Sequence, residues 1–256
     1  MPHWLAAWPF IDDPRFYAVA VPAVLLMGLG KSGFLSGFGS LATPLLALTL
    51  PVPQAAAIML PLLLVMDATG LQQLWRERDA PLLRRLLPGG LLGVGVGTLL
   101  FGVLSGKTVA GIVGALTLLF LAQRLLFPPS AQAPRPRRWA GFALATASGF
   151  TSFVAHAGSP PLNAYLLPLR LKPIAYAGTA AVFFAVVNLA KWVPYAWLGL
   201  FDRTNLATSV LLMPLAPLGV WLGVWLARRI EPRWFYIVAY TGMFFTGAKL
   251  LWDGWN

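Results

Sequence analysis

Two stretches hold most of the residues that could handle a charged solute: Gly28 to Pro44 (GLGKSGFLSGFGSLATP) and Gly149 to Pro161 (GFTSFVAHAGSPP). Lys31 brings a formal positive charge. Ser32, Ser36, Ser40 and Thr43 from the first stretch, and Ser152, Ser159 and Asn163 in and beside the second, bring short neutral donors. An oxyanion needs that mixture: several donors and one or two positive charges, but not so many that it cannot leave. Gly39-Ser40 and Gly158-Ser159 each precede a short apolar piece. A half-helix starting there adds free N–H groups and partial positive charge to the same place. Ser40 and Ser159 also read as N-caps, with Pro160 suited to the first helical position. Any single serine can instead bond back to a helical carbonyl.

Three further residues have to be weighed. A lysine at membrane depth costs about 2.5–3.5 kcal/mol and normally faces a partner or a cavity, unless it lies near an interface and snorkels. Both readings apply to Lys31. They apply also to Lys191, near the outer end of the apolar run 174–197 and just after Asn188, where snorkelling is easier. Asp67 is the one carboxylate inside an apolar run, a candidate for ion pairing or proton coupling. His156 can bind substrate, couple protons near neutral pH, or be a buried hydrogen-bonded histidine. One histidine without clustered carboxylates is a poor metal ligand set, and no metal or cofactor is expected. Ser152 and His156, four apart, also admit an intramembrane hydrolase with serine as nucleophile and histidine as base. No Gly-x-Ser-x-Gly elbow accompanies them.

The elements that must position these residues are apolar helices. Hydrophobic residues make up 58% of the 256-residue chain and charged ones 11%, with a mean hydropathy of +0.73. Several runs reach the roughly 20 residues that cross a bilayer, and helices satisfy their own backbone groups there. The expected class is an all-α polytopic membrane protein. The net charge of +11 would point to a polyanion in a soluble protein. Here the basic residues cluster in short loops, which points to topology and anionic headgroups, with no nucleic acid partner. The absence of cysteine excludes disulfides and thiol chemistry.

The chain reads as an N-terminal arm (1–15), a first transmembrane repeat (16–127), a basic proline-rich linker (128–138) and a second repeat (139–256). Each repeat begins with a polar broken element (16–36 with 40–50; 139–155 with 159–169). Three spans follow: 54–74, 86–105 and 108–127 in the first repeat, and 174–197, 206–227 and 234–252 in the second. Residues 75–85 form a charged amphipathic loop. If both polar elements are re-entrant hairpins, the basic clusters at 75–85, 124–138, 170–172 and 228–233 all fall on the cytoplasmic side. The two halves are then inverted repeats whose hairpin tips meet near the midplane. The arm 16–36 is long enough to cross by itself, so eight plain spans stay open. The stripe Gly89, Gly93, Gly97 admits either internal helix packing or a homodimer contact.

The glycine- and serine-rich segment Gly33 to Pro44, its echo at Gly149 to Pro161 and the duplicated layout resemble the TauE/SafE family of sulfite exporters and related anion permeases. The resemblance covers about residues 16–252. It implies a secondary transporter rather than an enzyme, one that exports or takes up sulfite, an organosulfonate or a small carboxylate across the bacterial inner membrane, with export the expected direction and the substrate not fixed. The three residues inserted in the second motif bring in His156. A non-catalytic assembly factor in the membrane is a further alternative. The implied partners are the anion and membrane lipids.

Overall fold

A computed structural model describes residues 10–31, 39, 42–46, 49–101, 103, 105–126 and 137–255. The described residues form α1 (Pro14–Lys31), α2 (Ala42–Leu46), α3 (Val52–Leu74), α4 (Ala80–Leu99), α5 (Gly106–Leu126), α6 (Arg138–Ala155), α7 (Ser159–Leu166), α8 (Pro173–Trp197), α9 (Arg203–Leu212), α10 (Leu215–Ala227) and α11 (Pro232–Trp255). They include no strand. The N-terminal arm through residue 9 and most of the linker lie outside the described residues.

The helix boundaries follow local chemistry. Proline opens α3 and α8, where the missing N–H costs no helical bond. Asp79 caps α4 by accepting from the Leu82 N–H at 2.9 Å, and Asp202 caps α9 by accepting from Asn205 at 2.7 Å. The Asp79 cap shortens the loop expected over 75–85. Trp75–Glu77 is a single tight turn, and Arg84 and Arg85 already belong to α4, which ends at Leu99 rather than 105. The span expected over 206–227 is also changed. It is two helices, α9 and α10, bent by 45° at Met213-Pro214, because a proline cannot continue the hydrogen-bond ladder.

Helices α3, α4 and α8 are each long and apolar enough to cross a membrane, as is the bent α9–α10 pair. The centre is α3 packed against α8. From Ala55 to Leu63 nearly every residue of α3 is buried, as expected of a helix that is apolar all round. Around this pair α4 lies on α6, α1 on α10, and α5 on α11. Glycine makes the close approaches possible. A Cβ at Gly93 would lie 2.1 Å from the Thr146 carbonyl oxygen, and one at Gly149 would lie 2.0 Å from that of Gly90. On the other pairs, Gly28 meets Gly219 and Gly111 meets Gly254. The stripe Gly89, Gly93, Gly97 is thus filled by α6 of the same chain, through Phe142, Thr146 and Phe153. The outside is apolar: Leu99, Leu119, Trp139, Leu189, Val193 and Trp197 are all exposed.

Candidate functional site

The charged residues of the interior converge where α1, α3, α6, α7 and α8 come together. Lys31, the last residue of α1, puts its Nζ 2.5 Å from Asp67 Oδ1 on α3. The other carboxylate oxygen, Oδ2, accepts from Asn188 Nδ2 on α8 at 2.6 Å. Both carboxylate oxygens are therefore held, and Asp67 is 3% exposed. The Lys31 ammonium also sits 5.2 Å from the centre of the Phe184 ring, within cation–π range.

A second cluster lies beside the first. Lys191 is 0% exposed, so of the two readings open to it the snorkelling one does not hold. Its Nζ donates to Ser152 O and Ser152 Oγ, each at 3.0 Å, and to His156 Nδ1 at 2.9 Å. Three acceptors satisfy the three donors of an ammonium. The remaining imidazole nitrogen, Nε2, faces the Ala56 carbonyl at 3.0 Å. A carbonyl can only accept, so Nε2 carries the proton and Nδ1 is the acceptor; the imidazole is neutral. Among the described residues no carboxylate lies within ion-pair distance of Lys191.

The chain reaches this geometry through the break between α6 and α7. His156 closes α6 in the left-handed region, with φ of 52°, a conformation histidine adopts more readily than most residues with a side chain. Ser148 Oγ donates to the Gly158 carbonyl at 2.7 Å, and Thr151 Oγ1 to that of Ala157 at 3.0 Å, pinning the turn to α6. Gly158 is the cap residue of α7, and Ser159 is its first helical residue. This corrects the expectation that Ser159 is the N-cap. A Cβ at Gly158 would lie 2.8 Å from the Phe184 ring, the Ser148 carbonyl oxygen and Ser152 Cβ, so only glycine fits.

These elements enclose a cavity of about 30 Å³. Lys31, Asn188, Asn163, Tyr176, Ser152 and Ser159 supply most of its polar lining, with Met27, Leu63 and Phe184 as apolar walls. His156 and Gly39 also reach it. Ser152 accepts from Lys191 and its hydroxyl donates to no described residue, and Tyr176 donates to Asn163. Of the expected residues, Lys31, Gly39, Ser152, His156, Ser159 and Asn163 meet here, with Asp67, Gly158 and Lys191 directly behind. Thr43 is buried on α2 without a hydrogen-bond partner among the described residues, and it is not among the described residues of the lining. Ser32, Ser36 and Ser40 lie outside the described residues. Among the described residues no group of three histidines or carboxylates could hold a metal ion.

Tyr176, Phe184 and Asn188 line the cavity without being among the expected residues. Their signal was available: Tyr176, Ala180, Phe184 and Asn188 recur every four residues, one face of α8, and Lys191 follows on the same face. The hydrolase arrangement is not formed. Both imidazole nitrogens are engaged, by Lys191 and by Ala56, and neither touches Ser152 Oγ.

A packed set of apolar helices around buried ionic side chains is the architecture of a membrane protein with a polar site in its interior. The family model described as sulfite exporter TauE/SafE matches residues 20–250, nearly the whole chain. The chain belongs to the TauE/SafE family, a family of membrane transporters. No curated protein and no solved structure matches it.

Proposed function

We propose that this protein is a secondary transporter that exports a small anion such as sulfite, an organosulfonate or a small carboxylate across the bacterial inner membrane. The anion sits in the cavity between α1, α7 and α8, held by Lys31, the amides of Asn163 and Asn188 and the hydroxyls of Ser152 and Ser159. The observation that carries this reading is the make-up of the buried cluster: Lys31 paired with Asp67, and Lys191 held by three neutral acceptors that fit an ammonium. With both lysines protonated, two cations face one carboxylate, and an anion completes the balance. A buried charge with no partner is costly, so a site with a positive surplus has reason to favour an anion over a neutral solute. The family's described substrate supports the same class of solute. Proton coupling through Asp67 and His156 belongs to this reading, as does substrate contact by Ser32, Ser36, Ser40 and Thr43.

The reading includes an inverted duplication. In the helix pairs, α1 on α10 corresponds to α6 on α4, and α1 with α2 to α6 with α7. Helices α3 with α8, and α5 with α11, pair as counterparts. This pattern supports two related halves around a central site, each with a re-entrant hairpin and three crossings. Flux of sulfite, methanesulfonate and acetate into proteoliposomes, with and without an imposed pH gradient, tests the proposal. Saturable anion flux absent from protein-free vesicles is the expected result; equal flux of all solutes in both preparations would sink it.

A further inference from the structure

Asp67 holds two residues of the cavity wall, Lys31 and Asn188, yet is not itself part of the lining. It is a charge one layer behind the site. We propose that Asp67 sets the anion charge the cavity accepts. Ionised, it leaves the site suited to a monoanion; with a proton, it lets the site take a dianion, so a dianion and a proton occupy the protein together. This inference rests on the anion-site reading above.

Among the described residues, the formal charges facing Asp67 belong to the same cluster. Lys31 comes from α1; Lys191, one turn beyond Asn188, comes from α8. His156 on α6 is neutral in its observed hydrogen bonding. Helices α2 and α10 contain no titratable side chain. On α9 the titratable residue is Arg203, exposed at the far end of α3 from Asp67, where Asn205 meets Gln54. Glu77, beyond the end of α3, is paired with Arg228. With Lys191 as the ammonium that its three acceptors fit, two lysines against one carboxylate leave a single positive charge, which a monoanion cancels. A dianion would leave a net negative charge in a low-dielectric interior, where it is expensive. A proton from solution placed on an Asp67 carboxylate oxygen restores neutrality. It also loosens the hold on Lys31 and turns that ammonium toward the cavity. No other bond changes.

The test uses the full-length protein in detergent and two probes of fixed charge near neutral pH: sulfate, a dianion, and methanesulfonate, a monoanion. Sulfite binding is measured first, to establish that the site takes an anion. Titration calorimetry in buffers of differing ionisation enthalpy then counts protons. Sulfate should bind with uptake of about one proton, and methanesulfonate with about none. In Asp67→Asn, sulfate should bind at least about tenfold more tightly than to the parent at the alkaline end of a near-neutral series, with no proton uptake. Sulfate binding to the parent without proton uptake, or proton uptake that persists in Asp67→Asn, overturns the inference, as does sulfite binding with no sulfate binding at any pH. Failure of sulfite to bind removes the anion-site reading beneath it. If the variant does not fold, the proton count on the parent decides.

Discussion

Asn188 donates to Asp67 across the packed centre of the molecule, 2.6 Å between Nδ2 and Oδ2, and each is the sixteenth residue of its own helix, α8 or α3. Two helices that meet face to face at the middle thus contribute their polar residues at the same depth. One carries the carboxylate and the other the uncharged amide. Were both acids, the pair would repel; were both apolar, Lys31 would have no counter-ion. Asn188→Leu should leave one carboxylate oxygen of Asp67 without its donor and cost about 1–3 kcal/mol. The expected outcome is a lower unfolding temperature in detergent. An unchanged melting curve would mean that another donor takes the place of Asn188.

Lys31 has two tasks, and a pair of variants separates them. Lys31→Gln leaves a buried carboxylate without its counter-ion, which should destabilise by about 3–5 kcal/mol. The double variant Lys31→Gln with Asp67→Asn removes both charges and should recover most of that stability. Sulfite affinity of the double variant should still fall by about ten- to a hundredfold, because a charge-assisted contact is gone. Parent-like affinity in a stable double variant would assign Lys31 to structure alone.

Much of this arrangement was legible before any coordinates, and the parts that were not share a cause. Lys31, Asp67 and His156 stood out because a charge or a lone imidazole in an apolar run is costly and must be matched. The α6–α7 break was legible from Gly158-Ser-Pro-Pro161, which cannot continue a helix. What the sequence could not supply was partnership. That Lys31 meets Asp67, 36 residues away, and Lys191 meets His156, 35 away, depends on how α1, α3, α6 and α8 stack. Several crossing arrangements would satisfy the same hydrophobic pattern. Asn188 and Tyr176 carry little signal in the sequence, because a single amide or phenol in an apolar helix is cheap enough to have many explanations. The bend at Met213-Pro214 was hidden inside a run whose hydrophobicity continues across it.

The interface of α4 with α6 gives a prediction with an internal control. A methyl at Gly93 would fall within 3 Å of the α6 backbone at Thr146, Phe150 and Gly149, none of which can rotate aside. Gly95, two residues on, has nothing within 4 Å of the same position. Gly93→Ala should therefore cost about 1–3 kcal/mol through overpacking and reduce the yield of monodisperse protein. Gly95→Ala should be neutral or slightly stabilising, since alanine is the better helix former. Equal behaviour of the two variants on size-exclusion and thermal unfolding would contradict the observed packing.

The inverted arrangement makes a claim about sidedness that single cysteines can test in a chain that has none. If α6 and α7 form one re-entrant hairpin, the turn after α7 returns to the side on which α6 began, and Arg170 lies with Arg137 and Arg138. If each crosses, that placement fails. The basic residues at 76–85, 137–138, 170–172 and 228–233 share one side only in the first case, and positive charge is retained on the cytoplasmic side. The connection Leu198–Asp202, between α8 and α9, then falls on the opposite side, as does the turn near Ser105 between α4 and α5. Cysteines at Arg78, Lys172 and Arg229 should resist a membrane-impermeant thiol reagent in intact cells and react after permeabilisation. Cysteines at Ser105 and Gly199 should react in intact cells. Labelling of the Arg229 position from outside, with the Arg78 position protected, would replace the hairpins with eight plain crossings and separate the two halves of the proposed site.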